Sequence, residues 1–325
     1  MSSCLISIVI PVYNSEAFVF ECLSSVLVAI PHNCEVIVVD DGSTDHSLRV
    51  IETHFAVQIS SGVLTVLKIS NVGPGQARNI GVNSARGKYI CFLDSDDRLL
   101  SGFFEAIVEA ISQFSPDIIQ FHLQRFSDDA DKYTIKSHHS LPGLYSSAQV
   151  RNEIFGIGKW FPFSRVYRKD IVSRYPFPKR REFYEDFSTI PEIFLGNYSL
   201  VLLDCPLIAY RSNPHGTTFN HRPEHAETLF QLFFKLSNFP RSVAVSIWMV
   251  QVARTLAIFR WELDLRELDM EFVISTIKKT ESKAAVLHWL RFPDAVFFIA
   301  PRMYYLAESV RQFCKKQLRT HKTVA

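Results

Sequence analysis

With 325 residues, 47% of them hydrophobic and 21% charged, the chain can bury a sizeable core, and its formal charge is only +2. That balance excludes general disorder, which needs low hydrophobicity and high net charge, and no nucleic-acid partner is expected from it. The small total hides an asymmetry: residues 1–130 hold 7 Lys/Arg against 15 Asp/Glu and the remainder 28 against 18, so the first part fits a metal site and the second fits phosphate or anionic lipid.

The first 125 residues alternate between two periods. Residues 5–12 form an apolar, β-branched run that predicts a strand, and Val19, Leu23, Val26, Leu27 and Ile30 then recur at helical spacing. Residues 35–39 predict a second strand. After the polar turn that follows it, Ser43 or Thr44 is expected to cap a helix carrying Leu48, Ile51 and Phe55. Strands at 63–69, 88–93 and 117–123 alternate with helices at 76–84 and 103–114, whereas 128–147 reads as a surface loop. Strands alternating with helices imply a mostly parallel sheet covered on both faces. In such sheets ligands bind beyond the carboxyl ends of the strands, and the polar clusters at 11–16, 40–45 and 94–97 fall at those ends. The six cysteines form no CxxC pair, which argues against a zinc site or a disulfide scaffold and for a reducing compartment. No basic stretch followed by a long apolar run opens the sequence, so a signal peptide is not expected.

Several carboxylates at one strand end, as in Asp94-Ser95-Asp96-Asp97, repel one another unless a cation or solvent relieves them. Hard oxygen ligands suit Mg2+ or Mn2+; the plain alternative is an acidic loop in solvent. A strand ending in D-x-D also marks haloacid-dehalogenase-type phosphatases, but these expect Thr or Val two places past the second Asp, where Arg98 stands. Asp40 and Asp41 offer acceptors to a base or ribose, and Gly42 allows the turn. Gly73-Pro74-Gly75-Gln76-Ala77-Arg78-Asn79 fails both the GxGxxG and the Walker A patterns, and reads as a turn into a helix with one useful cation, Arg78. Glu185-Asp186 supplies a carboxylate able to act as general base, or simply an acidic first helical turn. His215, in a polar loop, either meets a phosphate or metal or lies exposed.

Together these residues resemble the inverting family 2 glycosyltransferases, which have the GT-A fold. Ile8-Val9-Ile10-Pro11-Val12-Tyr13-Asn14-Ser15-Glu16 matches that family's first strand and P-x-Y-N-x-E turn. Val38-Val39-Asp40-Asp41-Gly42-Ser43-Thr44-Asp45 matches its second signature, and Asn71-Val72-Gly73 with Gln76-Ala77-Arg78-Asn79-Ile80-Gly81 its third. Phe92-Leu93-Asp94-Ser95-Asp96-Asp97 looks like its D-x-D motif and Glu185-Asp186-Phe187 like its E-D pair. Where relatives often have Trp followed by Asn-Lys-Leu, this chain has Trp160-Phe-Pro-Phe-Ser-Arg.

The resemblance implies an α/β protein with a GT-A domain over residues 1–220, whose mixed, mostly parallel sheet serves a nucleotide-sugar half (1–97) and an acceptor half (98–220). A helical, basic region at 221–325 follows. It implies transfer of a sugar, with inversion, from a nucleotide-diphospho-sugar, a UDP-sugar foremost, to a saccharide acceptor. The base would lie near Asp40 or Asp41 and the turn holding Pro11, Tyr13 and Glu16. Asp94 would meet the ribose, Asp96 a divalent metal (Mn2+ or Mg2+), and Arg78 the diphosphate. Asp186 would deprotonate the acceptor, with Glu185 as second candidate; Trp160 and His215 are candidates for acceptor or phosphate contact. The alternative is a sugar-binding or assembly protein on the same fold without turnover. A nucleotidylyltransferase would need a glycine-rich N-terminal loop with Arg and Lys that is missing here.

Beyond residue 221 the sequence predicts helices at 229–236, 243–259 and 297–318. The tract 243–259 is broken by Gln251 and Arg254 and falls short of the roughly 20 apolar residues that span a bilayer, so a buried helix is expected. From Pro301 to Lys322, Met303, Leu306, Ala307, Val310, Phe313, Cys314 and Leu318 recur at three- and four-residue steps. Arg302, Arg311, Lys315, Lys316, Arg319 and Lys322 stand there against the single acid Glu308. Such a helix suits the headgroup layer of a membrane, with Trp289, Phe292, Phe297 and Phe298 as further interfacial contacts, or else packs on the protein or a second subunit. The expectation is a cytoplasmic enzyme, peripheral on the inner face of the membrane, meeting a lipid-linked acceptor there.

Overall fold

A computed structural model describes residues 4–127, 130–179, 184–212, 222–280, 282–301 and 303–304. Contacts divide the chain into two compact units, 1–151 with 159–213, and 152–158 with 214–325.

The first unit is built on a sheet. Strand β1 (Ile6–Val12) and strand β2 (Cys34–Asp40) are buried almost throughout, as β-branched runs covered on both faces are. Between them α1 (Val19–Leu27) buries Val19, Cys22, Leu23 and Val26 at helical spacing. Next come α2 (Ser47–His54), α3 (Ala56–Ser60), β3 (Leu64–Lys68), α4 (Pro74–Ser84), β4 (Tyr89–Phe92), β5 (Arg98–Leu99) and α5 (Phe103–Phe114). The rest of this unit runs through β6 (Ile118–Ser127), β7 (Ala130–Ile135), β8 (Gly143–Ser146), α6 (Ser147–Ile157), β9 (Arg165–Arg168), α7 (Lys169–Arg174), α8 (Glu185–Leu195) and β10 (Ser199–Arg211), with residues 152–157 of α6 falling in the second unit.

Among the described residues ten strands form one mixed sheet in the order β3-β2-β1-β4-β9-β6-β10-β5, with β7 beside β6 and β8 beside β10. Strands β3, β2, β1 and β4 are mutually parallel, as are β6 and β10. The antiparallel β9 joins the two groups. Two expectations need correction. The stretch 128–147 contains strands β7 and β8 instead of a loop. Neither Ser43 nor Thr44 caps α2; Asp45 accepts the Ser47 N–H at 3.0 Å and its hydroxyl at 2.6 Å.

The second unit is helical, with α9 (Pro223–Ser237), α10 (Val243–Glu262), α11 (Met270–Lys278), α12 (Lys283–Trp289) and α13 (Phe292–Ile299). Helix α10 is its centre, contacting α9, α11, α12 and α13. It is long and apolar enough to cross a membrane, yet 72% of its apolar window is buried inside the protein, as expected for a core helix. Both residues that interrupt its apolar tract have internal partners: Gln251 donates to the Phe155 carbonyl at 2.7 Å, and Arg254 pairs with Asp294 at 2.5 Å. Most of the predicted helix at 297–318 lies outside the described residues. Phe297 is fully buried, which corrects its expected interfacial role.

Helix α4 lies directly on β1 because position 81 has no side chain. A Cβ there would stand 2.3 Å from Val9 Cγ1. Overpacking of this kind costs about 1–3 kcal/mol, so Gly81→Ala should lower the melting temperature by roughly 3–10 °C. Calorimetry checks this; an unchanged Tm would mean that α4 and β1 are not in close contact.

Candidate active site

Because β2, β1 and β4 are parallel neighbours, the loops after them emerge at one edge of the sheet, and their side chains lace them together. Asn14, held at φ 50°, accepts from the Thr44 N–H at 2.8 Å and donates its own N–H to Ser43 Oγ at 3.1 Å. The Ser15 N–H reaches Ser47 Oγ at 2.8 Å, while the Ser15 hydroxyl meets Ser95 Oγ at 2.7 Å. Glu16 accepts from the His46 N–H at 2.8 Å, and its own N–H donates to Asp45 at 3.0 Å. The three polar clusters thus converge on one another.

Within them Asp40 and Asp41 have different surroundings. Asp41 accepts the N–H groups of Val72 and Gly73 at 2.7 and 2.8 Å, one on each oxygen. Asp40 accepts a long contact from the Ser43 N–H at 3.4 Å on Oδ2, and its Oδ1 is buried without a hydrogen-bond partner. Pro11, half-buried, is the last residue but one of β1, and Tyr13, just past the strand, is 42% exposed.

The first turns of α4 grip the approach to α8. Arg78 is buried and donates to Asp94 at 2.7 Å and to Glu185 at 2.8 Å, with its guanidinium over Phe177 at 5.5 Å. Burial works against its charge, but Asp94 and Glu185 more than offset this and hold the guanidinium protonated more firmly than usual. Asn79 brackets the backbone of Phe177, accepting its N–H and donating to its carbonyl, both at 2.9 Å. A Cβ at Gly75 would stand 3.1 Å from both Glu185 Cγ and Phe177 Cβ, so that glycine lets Glu185 approach. The motif at 73–79, read from sequence as a turn with one cation, is a latch onto Phe177 and Glu185.

Glu185 and Asp186 open α8, as the macrodipole favours. Asp186 Oδ1 accepts the Phe187 N–H at 2.7 Å. Burial, followed by the adjacent Glu185 charge, pushes the Asp186 carboxyl up to about 7, against the opposing pull of the Phe187 N–H and Arg78.

The D-x-D loop is crowded with negative charge. Asp94 and Asp96 are half-buried, and Asp97 is fully buried with Oδ2 lacking a hydrogen-bond partner. Burial, then the charges of Asp96 and Asp94, drive the Asp97 carboxyl well above the ordinary range. This crowding is what a divalent cation relieves, so the donor set fits Mn2+ or Mg2+. Among the described residues no group of three or more His, Cys, Asp or Glu makes a ready metal cage; Mg2+ is usually held by one or two carboxylates plus substrate phosphates.

Residues that motif reasoning missed hold this loop from behind. Arg211, at the end of β10, donates its backbone N–H to Asp97 Oδ1 at 2.8 Å and its Nε to the Asp96 carbonyl at 3.0 Å. Its Nη2 and Arg98 Nη1 share the two oxygens of Glu21, and both guanidiniums lie over the Phe126 ring, at 4.6 and 4.2 Å. Trp160 is buried in contact with Phe194. Its neighbour Phe161 is half-buried and stacks with Phe163 at 5.3 Å, beside Tyr210. Buried Arg165 shapes this turn by donating to the carbonyls of Lys159 and Phe161 at 3.0 Å each. His215 lies outside the described residues.

Known proteins resemble this chain in sequence and fold. The model of Glycosyl transferase family 2 matches residues 7–175. The uncharacterized glycosyltransferase EpsJ of Bacillus subtilis is 29% identical over 236 residues, covering 70% of this chain and 68% of EpsJ. The crystal structure of S. aureus TarS 1–349 with UDP-GlcNAc superposes with a TM-score of 0.60 at 19% identity, over 94% of this chain and 88% of that one. The mannosyltransferase PcManGT of Pyrobaculum calidifontis, in complex with GDP-Man and Mn2+, gives 0.55 at 16% identity, over 96% and 87%. These likenesses show the GT-A fold. With its family signature matched across more than half its length, this chain belongs to glycosyltransferase family 2.

Proposed function

We propose that the chain transfers a sugar, with inversion, from a nucleotide-diphospho-sugar to a saccharide hydroxyl in the assembly of a surface polysaccharide. A lipid-linked acceptor met at the cytoplasmic face of the membrane is part of this reading. The observation that carries it is the Arg78 bridge, which sets the D-x-D loop beside the E-D pair. Donor class is supported by the ligands of the structural neighbours, UDP-GlcNAc in TarS and GDP-Man in PcManGT; a UDP-sugar remains the first to try.

In this reading residues 1–97 serve the donor and 98–220 the acceptor, with 221–325 as a separate helical region. Asp40, the acid with an unclaimed buried oxygen, receives the base, while Asp41 keeps the loop in shape. Pro11 and Tyr13 border the base, and Glu16 braces their turn. Asp94 meets the ribose and Asp96 holds the metal, with Asp97 and Arg211 fixing its backbone. A bound Mn2+ or Mg2+ supplies Lewis-acid stabilisation to the departing nucleoside diphosphate. Arg78 orients Asp94 and adds positive charge behind it. Asp186 takes the acceptor proton, and the freed oxygen attacks the anomeric carbon opposite the leaving group, which inverts it. A base poised near 7 balances availability against strength. Glu185, engaged by Arg78, tunes Asp186 through its charge and is not itself the base.

The pH dependence follows. The rise of kcat/KM should have a midpoint at about 7, where Asp186 ionises, and Glu185→Gln should move that midpoint to lower pH by removing the adjacent charge. Asp186→Asn should cost about 10²–10⁴-fold in transfer with donor binding retained. A raised carboxyl favours the folded state at low pH and loses that contribution as pH rises from 3.8 towards 7. Asp186→Asn should therefore melt higher than the native protein at pH 8 and equally at pH 3.5. A variant that transfers at the native rate would move the base elsewhere.

The two acids after β2 should separate cleanly. Asp40→Ala should raise donor KM with little change in melting temperature, because the lost contact is to substrate. Asp41→Ala strands two N–H groups, at about 1–3 kcal/mol each, and should chiefly lower Tm. Equal effects on both readouts would reject the division of roles. Chelator should abolish transfer, and Mn2+ or Mg2+ should restore it; full activity in excess chelator would remove the metal from Asp96.

A further inference from the structure

We infer that Glu21 of α1 is a positioning residue for the D-x-D loop: its carboxylate keeps Arg98 and Arg211 off the acids that receive the divalent cation. Resting on the metal role proposed for Asp96, this gives Glu21 control over how tightly the cation is held.

Helix α1 meets the loop along one face. Phe18, just before the helix, and Glu21, Cys22 and Ser25 within it stand at three- and four-residue steps. Cys22 Sγ donates to the Asp94 carbonyl at 3.6 Å, and Ser25 Oγ accepts the Leu99 N–H at 3.0 Å. Between those two bonds Glu21 takes both guanidiniums, Arg98 Nη1 on one oxygen and Arg211 Nη2 on the other. Arg211 lies over Phe18 at 5.0 Å and over Phe126 at 4.6 Å, and Arg98 lies over the same Phe126 ring at 4.2 Å. From that seat Arg211 reaches the loop itself, through Nε to the Asp96 carbonyl at 3.0 Å and through its backbone N–H to Asp97 at 2.8 Å.

Charge makes Glu21 more than a brace. Two guanidiniums over one ring repel each other, and the carboxylate they share offsets that repulsion. Asp96 is the alternative partner: it stands two residues before Arg98, and its carbonyl already accepts from Arg211. Without the Glu21 charge the two cations turn towards the acids of the loop. A guanidinium paired there competes with a divalent cation for the same oxygens. Unpaired, it still repels that cation across several ångströms.

The experiment titrates the full chain with Mn2+ in the presence of UDP and follows free Mn2+ by its electron paramagnetic resonance signal. No donor sugar or acceptor is present, so turnover plays no part. Gln keeps the shape of Glu and removes its charge, and E21Q should raise the Mn2+ dissociation constant by about tenfold or more. R98Q removes one cation and should bind Mn2+ more tightly than the native chain, a direction that loss of a purely structural contact does not give. E21Q/R98Q loses one charge of each sign and should return to within about threefold of native affinity. Native affinity in E21Q, weaker binding by R98Q, or a double variant weaker than E21Q would each overturn the assignment. A native chain that binds no Mn2+ with either UDP or GDP would instead remove the metal from Asp96, and the role of Glu21 with it.

Discussion

A single guanidinium ties the two halves of this site together, and the pairing has to satisfy an unfavourable starting point. Taking a cation out of water costs several kcal/mol, and one carboxylate in poor geometry does not offset that. Arg78 is buried between two carboxylates at 2.7 and 2.8 Å, one of them 107 positions away in the chain, with Phe177 beneath its plane. The same contacts relieve Asp94 and Glu185, which would otherwise add to the repulsion around Asp96, Asp97 and Asp186. Gly75 and Asn79 exist in the same helix for the same contact, one by leaving room and the other by holding the Phe177 backbone. The orientation of the E-D pair is therefore a consequence of α4.

Around this centre the acids sort by what the backbone asks of them. Asp41, Asp45 and Glu16 each accept main-chain N–H groups from a neighbouring loop. These bonds close turns that no ladder closes, which meets the requirement that buried N–H groups be paired. Asp40 and Asp97 are left with a buried oxygen that nothing in the protein claims, and Asp186 with a carboxyl raised by burial. Unsatisfied or perturbed groups of this kind are costly to keep, and they cluster where substrates complete them. The division separates acids that close backbone turns from acids with an unclaimed or perturbed group, inside motifs that sequence alone presents as uniform.

Much of the architecture was legible because the core strands are long, apolar and β-branched, and because α1 and α5 repeat apolar residues at helical spacing. The stretch 128–147 was not. Among the described residues its strands β7 and β8 pair with β6 and β10 respectively, and they carry mixed polar residues, so neither the buried-run nor the alternation signal stands out. The expected cap failed for a related reason: several cap-forming side chains crowd residues 43–45, yet α2 begins after His46 without a side-chain cap, and Asp45 closes a turn onto Ser47 instead. At the site, motif order pointed to Asp40, Asp94, Asp96 and the E-D pair, and the fold brings Asp94 and Glu185 together on Arg78. Motif order was blind to Glu21, Arg98 and Arg211, whose partners are 77 to 190 positions apart. No local pattern encodes such a pairing. Trp160 shows the opposite limit: an aromatic residue beside a motif position can belong to the core.

The second unit makes the same point about apolar sequence. By length and composition α10 is the segment suited to a bilayer, yet its apolar faces are covered by four other helices, and its two interrupting polar residues each meet an internal partner. A side chain such as Arg254 in that helix is expensive in lipid and well served beside Asp294. The shorter α13 has the reverse arrangement. Its anchored side carries the ion pair and Phe297, and its apolar residues point away from the helices that hold it. Hydropathy alone does not separate a covered helix from an exposed one, because it sums side chains without regard to what covers them. Partnership, read residue by residue, does.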